Sequence, residues 1–440
     1  MTVAMKDAYG LDVSATARAA VDAYDLGVRA LLGFGADPIA RFEEALGHDP
    51  EFALAQAALA VSLYLDERIP EGRAAMERAT ALGARLDGRE RRHVDALALW
   101  VAGKGNEAIP LMREFLAEYP RDMVVLQRLY FIFFWQGRSA DLLETTRAVL
   151  HAADGDSYLL GMHAFGLSEN GQFDEALALA RRAMAMNPRD AWAVHAMAHV
   201  HYERGDNAQG VEELPPGIHP CDHLGYFRNH LLWHLALLRL AAGQWERAIR
   251  LFENVFARIS ITIASDLQDA VSLAWRLDLF GRAEPTRWEP LGQAARRWLD
   301  LPLLLFHDLH VAMALAAAGD WGSAEAHGER LRQRAARTKN RTLPEVVVPM
   351  LEGLHAFARG EYARTVEAMG PVEDRIWEVG GSHAQREVFH DTLLAAALRA
   401  GQMDRARPML ERRLARRPNP GRYWEETAAA LRAPGGAAPP

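Results

Sequence analysis

Apolar positions recur at helical spacing along almost the whole chain, and strict alternation is nearly absent. Stretches such as GQFDEALALARRAMAMNP and GQWERAIRLFENVF set small and apolar residues three and four apart, with Arg and Glu between them. Their Ala, Leu, Arg and Glu content favours helix over strand. The pattern therefore predicts an all-α protein. Glycines divide the helical segments into pairs: Gly103, Gly137, Gly171 and Gly205 are 34 residues apart. Gly243, Gly281 and Gly319 follow at intervals of 38, then Gly360 and Gly401 at intervals of 41.

Thirty-four residues is the tetratricopeptide period, a hairpin of two antiparallel helices. Two helices approach closely only where small side chains meet. Seven residues before the turn glycine stand Ala96, Ala164, Ala198, Ala236, Ala274, Ala312 and Gly353. Five residues after it, Ala108, Ala176, Gly210, Ala248, Ala324 and Ala406 answer. Pro120, Pro188 and Pro418 stop second helices. The expected fold is a TPR-like α-solenoid, a superhelix of helix-turn-helix repeats in a single continuous array over residues 15–432. An extension at 1–14 precedes it, and a disordered tail at 433–440, ending in APGGAAPP, follows it. Proline-broken loops are expected at residues 213–226 and 281–290.

Composition narrows the function classes. A formal net charge of −8 offers no basic footprint, so nucleic acid is not an expected partner. Only Cys221 is present, which excludes an internal disulfide and suits a reducing cytosol. There is no signal-like leader and no uninterrupted apolar run of about 18 residues for a bilayer, so a soluble cytoplasmic protein is expected. Basic runs such as RARPMLERRLARR read as solvated outer helix faces.

The chemistry concentrates on the first helices. Counted back from each turn glycine, and taking ~100° per residue, the alanines and leucines mark a packed side. His93, His195, His199, His230, His234 and His310 all fall on the other side, the side expected to line a concave groove. Trp233 and Glu169 join them, whereas His201 turns toward the packed side.

Several stretches, WAVHAMAHV, HLLWH with LALLRLAAGQ, DAVSLAWRLDLFG, FHDLH, GSHAQREVF and RERRHVDAL, resemble the tetratricopeptide repeat protein 38 family over nearly the whole chain. The resemblance implies the repeat fold and recurring positions at His93, His195, His199, His230, Trp233, His234, Asp269, Arg276, His310, Gln385 and Arg386. Glu387 stands where Asp is expected. It implies no settled activity.

Two function classes follow. The first is a repeat protein that holds a small molecule or peptide in its groove, with His93, Glu169, Trp233, Asp269, His310 and Arg386 as ligand-binding residues. The second is an enzyme that uses His195, His199, His230 and His234 for acid-base catalysis or as ligands of a divalent transition metal such as zinc. HAMAH has alanine where a zincin carries its glutamate, so Glu169 would have to serve from the preceding repeat. No nucleotide cradle or GxSxG elbow is present, and no cofactor other than a metal is expected. The sequence leaves the oligomeric state open.

Overall fold

A computed structural model describes residues 5–86, 88–153, 155–301 and 303–432. The described residues form 24 α-helices, almost all in antiparallel pairs. The expected tail at 433–440 lies outside the described residues. Within the expected N-terminal extension, Met5–Lys6 and Asp12–Val13 pair as a minimal antiparallel ribbon. No helix of the described residues is long and apolar enough to cross a membrane.

Every turn glycine from Gly103 to Gly401 has positive φ, between 67° and 79°. That conformation lets the residue after glycine donate back across the helix end. Lys104 N–H reaches the Leu99 carbonyl at 2.9 Å, Gln172 N–H the Leu167 carbonyl at 3.0 Å, and Asp206 N–H the His201 carbonyl at 2.9 Å. The period in the sequence is thus the period of one stop signal. The alanines counted from each turn, Ala96, Ala164, Ala198, Ala236, Ala274 and Ala312, are fully buried, and so are their answering partners Ala108, Ala176, Ala248, Ala324 and Ala406.

The glycines are not equivalent. Gly171 has φ +75°, yet a methyl added there would meet nothing within 4 Å. A methyl on Gly137, at φ +67°, would run into the Trp377 carbonyl oxygen. Gly171→Ala should therefore cost only the left-handed strain, about 1 to 2 kcal/mol. Gly137→Ala should cost about 3 kcal/mol or more, strain and overpacking together. Urea midpoints of the two variants check the difference, and equal midpoints would refute it.

The chain divides into two compact units. Unit 1 contains residues 1–134, 139–196 and 220–228; unit 2 contains residues 135–138, 197–219 and 229–440. Unit 1 includes the pairs Ala53–Leu65 with Ile69–Gly83, Arg89–Val101 with Gly105–Glu118, and Ser157–Glu169 with Phe173–Met186. Unit 2 includes Ala264–Leu279 with Trp288–Ala295, Leu305–Ala317 with Trp321–Arg337, and His383–Arg399 with Met403–Arg416.

Several first helices, such as Leu305–Ala317, are buried almost all round, whereas second helices such as Phe173–Met186 bury a narrow stripe. All of residues 306–316 are buried on Leu305–Ala317, but only Ala176, Ala180 and Ala183 on Phe173–Met186. Polar side chains on first helices are therefore forced inside, where each needs a partner.

The two expected loops are shorter than the prolines suggested. Asn207–Ile218 continues as helix through Pro215 and Pro216, because proline's fixed φ is itself helical and the Pro215 carbonyl still accepts from His219 N–H at 3.1 Å. Residues 285–287 form a 3-10 turn that leads into the helix Trp288–Ala295.

Candidate functional site

His93 is 1% exposed and its Nδ1 lies 2.8 Å from Asp122 Oδ2, which also accepts from Arg89 Nη1 at 2.8 Å. Burial works against the Asp122 carboxylate, but the facing His93 and Arg89 and the Val125 N–H outweigh it and hold the carboxyl below its ordinary range. His93 is thus one arm of a buried ion-pair group. Asp122 was invisible to the sequence frame because it precedes its helix Met123–Trp135 rather than lying on a face of it.

His195 sits in an aromatic setting, with ring centroids at 4.9 Å from Phe165, 5.2 Å from Phe227 and 6.4 Å from Trp192. Glu169 closes the helix Ser157–Glu169 and is 5% exposed. Asp190, at the start of the helix Ala191–Arg204, accepts from Ala193 N–H at 3.1 Å, and burial pushes its carboxyl up to about 7. Cys221 is fully buried, and burial, reinforced by the Asp190 charge, pushes its thiol up to about 11, so it offers no thiolate near neutrality.

In unit 2, six positions marked by the family resemblance form one connected group. His230 Nδ1 lies 2.9 Å from Asp269 Oδ2, and the other Asp269 oxygen accepts from Gln268 Nε2 at 3.1 Å. An ionised carboxylate accepts only, so Nδ1 of His230 carries the proton and its Nε2 is left with a lone pair in the neutral ring. That Nε2 faces His234 Nε2 at 3.2 Å. One proton fits between the two nitrogens; a second would set N–H against N–H. His199 lies beside His234, with ring centroids 4.5 Å apart.

Trp233 fixes the plane of His230 by stacking on it at 5.3 Å with 12° between rings. The Arg276 guanidinium lies 5.6 Å from the Trp233 ring, and is itself held by the Ala384 carbonyl at 2.8 Å and by Ser272. His199, His230, Trp233, His234, Asp269 and Arg276 are all at most 7% exposed. The face expected to line an open groove is thus buried.

The other candidates of unit 2 have contacts of their own. His310 Nδ1 donates to the Phe306 carbonyl at 2.8 Å, and burial draws its pKa down to about 3, so the ring is neutral. Arg386 donates to the Gly381 carbonyl. Gln385 completes the capping box at Ser382, accepting from the Ser382 N–H at 2.9 Å.

A second buried polar group was missed altogether. Glu387 meets Arg413 Nη1 at 3.0 Å and Arg417 Nη1 at 3.1 Å, and Asp391 meets Arg413 at 2.6 Å. The Arg417 guanidinium lies over the Tyr202 ring at 3.7 Å. RARPMLERRLARR is therefore not simply a solvated face: the side chains of Arg413 and Arg417 are 10% and 1% exposed, because acids on the neighbouring first helix call them inward. Beside them lies a cavity of about 20 Å³ lined by Tyr202, Arg276, Asp391, Arg413 and Trp424, room for about one water.

One family profile bears on the repeat reading. Residues 167–214 match the tetratricopeptide repeat profile. Among solved structures, the chain is similar to YrrB, described as a tetratricopeptide protein with an unusual peptide-binding site, at 16% identity and TM-score 0.25 over 40% of this chain and 91% of that one. It is also similar to the human IFIT1 dimer with PPP-AAAA, at 13% identity and TM-score 0.39 over 72% of this chain and 83% of that one. A third similarity is to Naa15/Naa10 bound to HypK-THB, at 11% identity and TM-score 0.26 over 89% and 68%. The chain thus carries a tetratricopeptide repeat at residues 167–214, within an all-α series of paired helices.

Proposed function

We propose that this chain is a binding protein of the tetratricopeptide repeat protein 38 family, and that the Asp269–His230–His234 line in unit 2 is its recognition chemistry. The observation that carries the reading is the 3.2 Å approach of two imidazole Nε2 atoms on one helix, with Asp269 fixing the tautomer of the first. A purely apolar function would not need such a line, since imidazoles buried only for packing are better served by carbonyl partners, as His310 is. A ligand with one acidic hydrogen would hand its proton to the pair and bind as the anion against it. The ligand is a small acid or a peptide rather than nucleic acid, in keeping with the net charge of −8.

The test is a thermal-shift panel of weak acids and short peptides on the full chain and on His230→Gln with His234→Gln together. The reading expects a ligand that raises the melting temperature of the parent by several degrees and leaves the double variant unmoved. A double variant that responds equally to every ligand would remove the line from recognition.

A metal-dependent enzyme is the second reading, and the same distance favours it. Two nitrogens on a tetrahedral ion with bonds of about 2.0 to 2.1 Å stand about 3.3 Å apart. A carboxylate on the far nitrogen of a ligating histidine, the place Asp269 takes, is the usual brace for such a ligand. His199 would stand next to such an ion, beside His234. Cobalt(II) titration followed by visible absorption separates the readings: bands that the double variant lacks favour the metal, and their absence in the parent removes it.

A further inference from the structure

Arg128, on the helix Met123–Trp135, is 2% exposed. Its Nη2 donates to Gln127 Oε1 at 2.5 Å, and Gln127 in turn donates to the Leu31 and Leu32 carbonyls at 3.5 and 3.3 Å. Nε and Nη1 have no acceptor. Among the described residues no carboxylate reaches ion-pair distance of it. Two other buried arginines differ: Arg89 has Asp122 at 2.8 Å and Arg417 has Glu387 at 3.1 Å. Burial draws the Arg128 pKa down to about 10, with the Tyr226 phenol pulling the other way, so the group remains cationic at neutral pH.

A buried cation with open donors is costly, and proteins supply a counter-charge where they keep one. The surroundings say which kind. Trp100 and Phe131 flank the guanidinium, with ring centroids 5.3 and 5.1 Å from its central carbon. Both rings are half-buried, so the aromatic collar reaches solvent in part. Guanidinium N–H bonds lie in its plane, so an acceptor must approach edge-on between the rings. A planar, singly charged carboxylate does so, and an apolar remainder would rest on the collar.

We infer that Arg128 is the anchor of a carboxylate-binding site in unit 1, with Gln127 orienting the guanidinium and Trp100 and Phe131 holding the apolar part of the ligand. All of these residues belong to unit 1, whereas the histidine line belongs to unit 2. A free organic acid and a peptide C-terminus share this chemistry.

The experiment uses the full chain and its Arg128→Leu variant, in carboxylate-free buffer, with benzoate, N-acetylphenylalanine and its amide, and a tripeptide ending in Phe as free acid and as amide. The expected result is a saturable rise in melting temperature with free acids, none with amides, and none in the variant. Response to benzoate identifies a small acid; response confined to the tripeptide acid identifies a chain terminus. Arg128→Leu without ligand should be at least as stable as the parent, because it removes an uncompensated buried charge. A variant that fails to fold or melts clearly lower would show the cation to be structural and overturn the inference. So would a parent that no free acid stabilises.

Discussion

Glu387→Gln should be the most destabilising single change in unit 2, costing about 3 to 5 kcal/mol at neutral pH. The carboxylate is 3% exposed and stands against Arg413, Arg417 and, at 3.6 Å, Arg416. Glutamine fills the same space but leaves those cations with Asp391 as the main counter-charge on the same helix. Burial alone would raise the Glu387 carboxyl, yet Arg413, Arg417 and Arg416 outweigh it and hold it well below the usual carboxylate range. Its folded value is below its unfolded value, so its contribution is complete above the unfolded pKa, about 4.3, and fades as pH falls toward the folded one. Asp391 runs the other way: burial, opposed by Arg413 and reinforced by Glu387, raises it to about 6. Its ionisation therefore erodes stability as pH rises from about 4 to about 6.

Urea unfolding at pH 7 and pH 4 measures both effects. Between pH 7 and pH 4 the Asp391 share should grow as its carboxyl takes up a proton, while the Glu387 share begins to fade only near pH 4, so this pair should add stability to the parent on acidification, and Glu387→Gln, in which Asp391 no longer faces a second carboxylate, should gain less. Glu387→Asp tests charge against reach: it keeps the carboxylate, shortens it by one methylene, and should cost about 1 kcal/mol through longer contacts. A glutamine variant with the parent's midpoint at pH 7 would show that the arginines do not depend on this carboxylate.

The repeat was legible because each of its causes is local. Glycine at the turn is needed for positive φ, alanine seven before and five after it for close helix approach, and both leave a fixed period in the sequence. The spacing of the histidines was legible too, since a helix maps spacing onto direction; their burial was not. What closes that face was not. His93 finds Asp122 from outside its own helix, and Glu387 finds Arg413 and Arg417 across a turn. Charged residues with a three-four rhythm read as surface unless a partner is known, and partners 26 to 30 residues away carry no periodic mark. Arg128 was hidden for the opposite reason. In MVVLQRLYFIFFW a lone arginine beside glutamine looks like the polar edge of an apolar helix, whereas the structure buries it among rings.

Asp269→Asn should separate architecture from chemistry in the histidine line. Asparagine keeps the shape and offers its carbonyl to His230 Nδ1–H, so the net loss of stability should be about 1 to 2 kcal/mol. The electronic effect is larger. A carboxylate accepts only, and so dictates that Nδ1 of His230 bears the proton; an amide can turn its NH₂ toward the ring and permit the other tautomer. Nε2 of His230 would then carry hydrogen toward His234 Nε2 at 3.2 Å and no longer accept. Nitrogen-15 spectra of the imidazoles should show one Nδ1–H tautomer for His230 in the parent and a mixture in the variant. If the line holds a metal, affinity for cobalt(II) should fall about 10- to 100-fold, the usual effect of removing a brace behind a ligating histidine. If it takes an acidic ligand instead, the acid that stabilises the parent should bind the variant more weakly, because the negative charge that favours protonation of the pair has gone. A variant with the parent's tautomer and unchanged binding of both probes would show that Asp269 does not set the state of His230. The line would then be packing held by a hydrogen bond, since a carboxylate that does not control its imidazole cannot tune what that imidazole accepts.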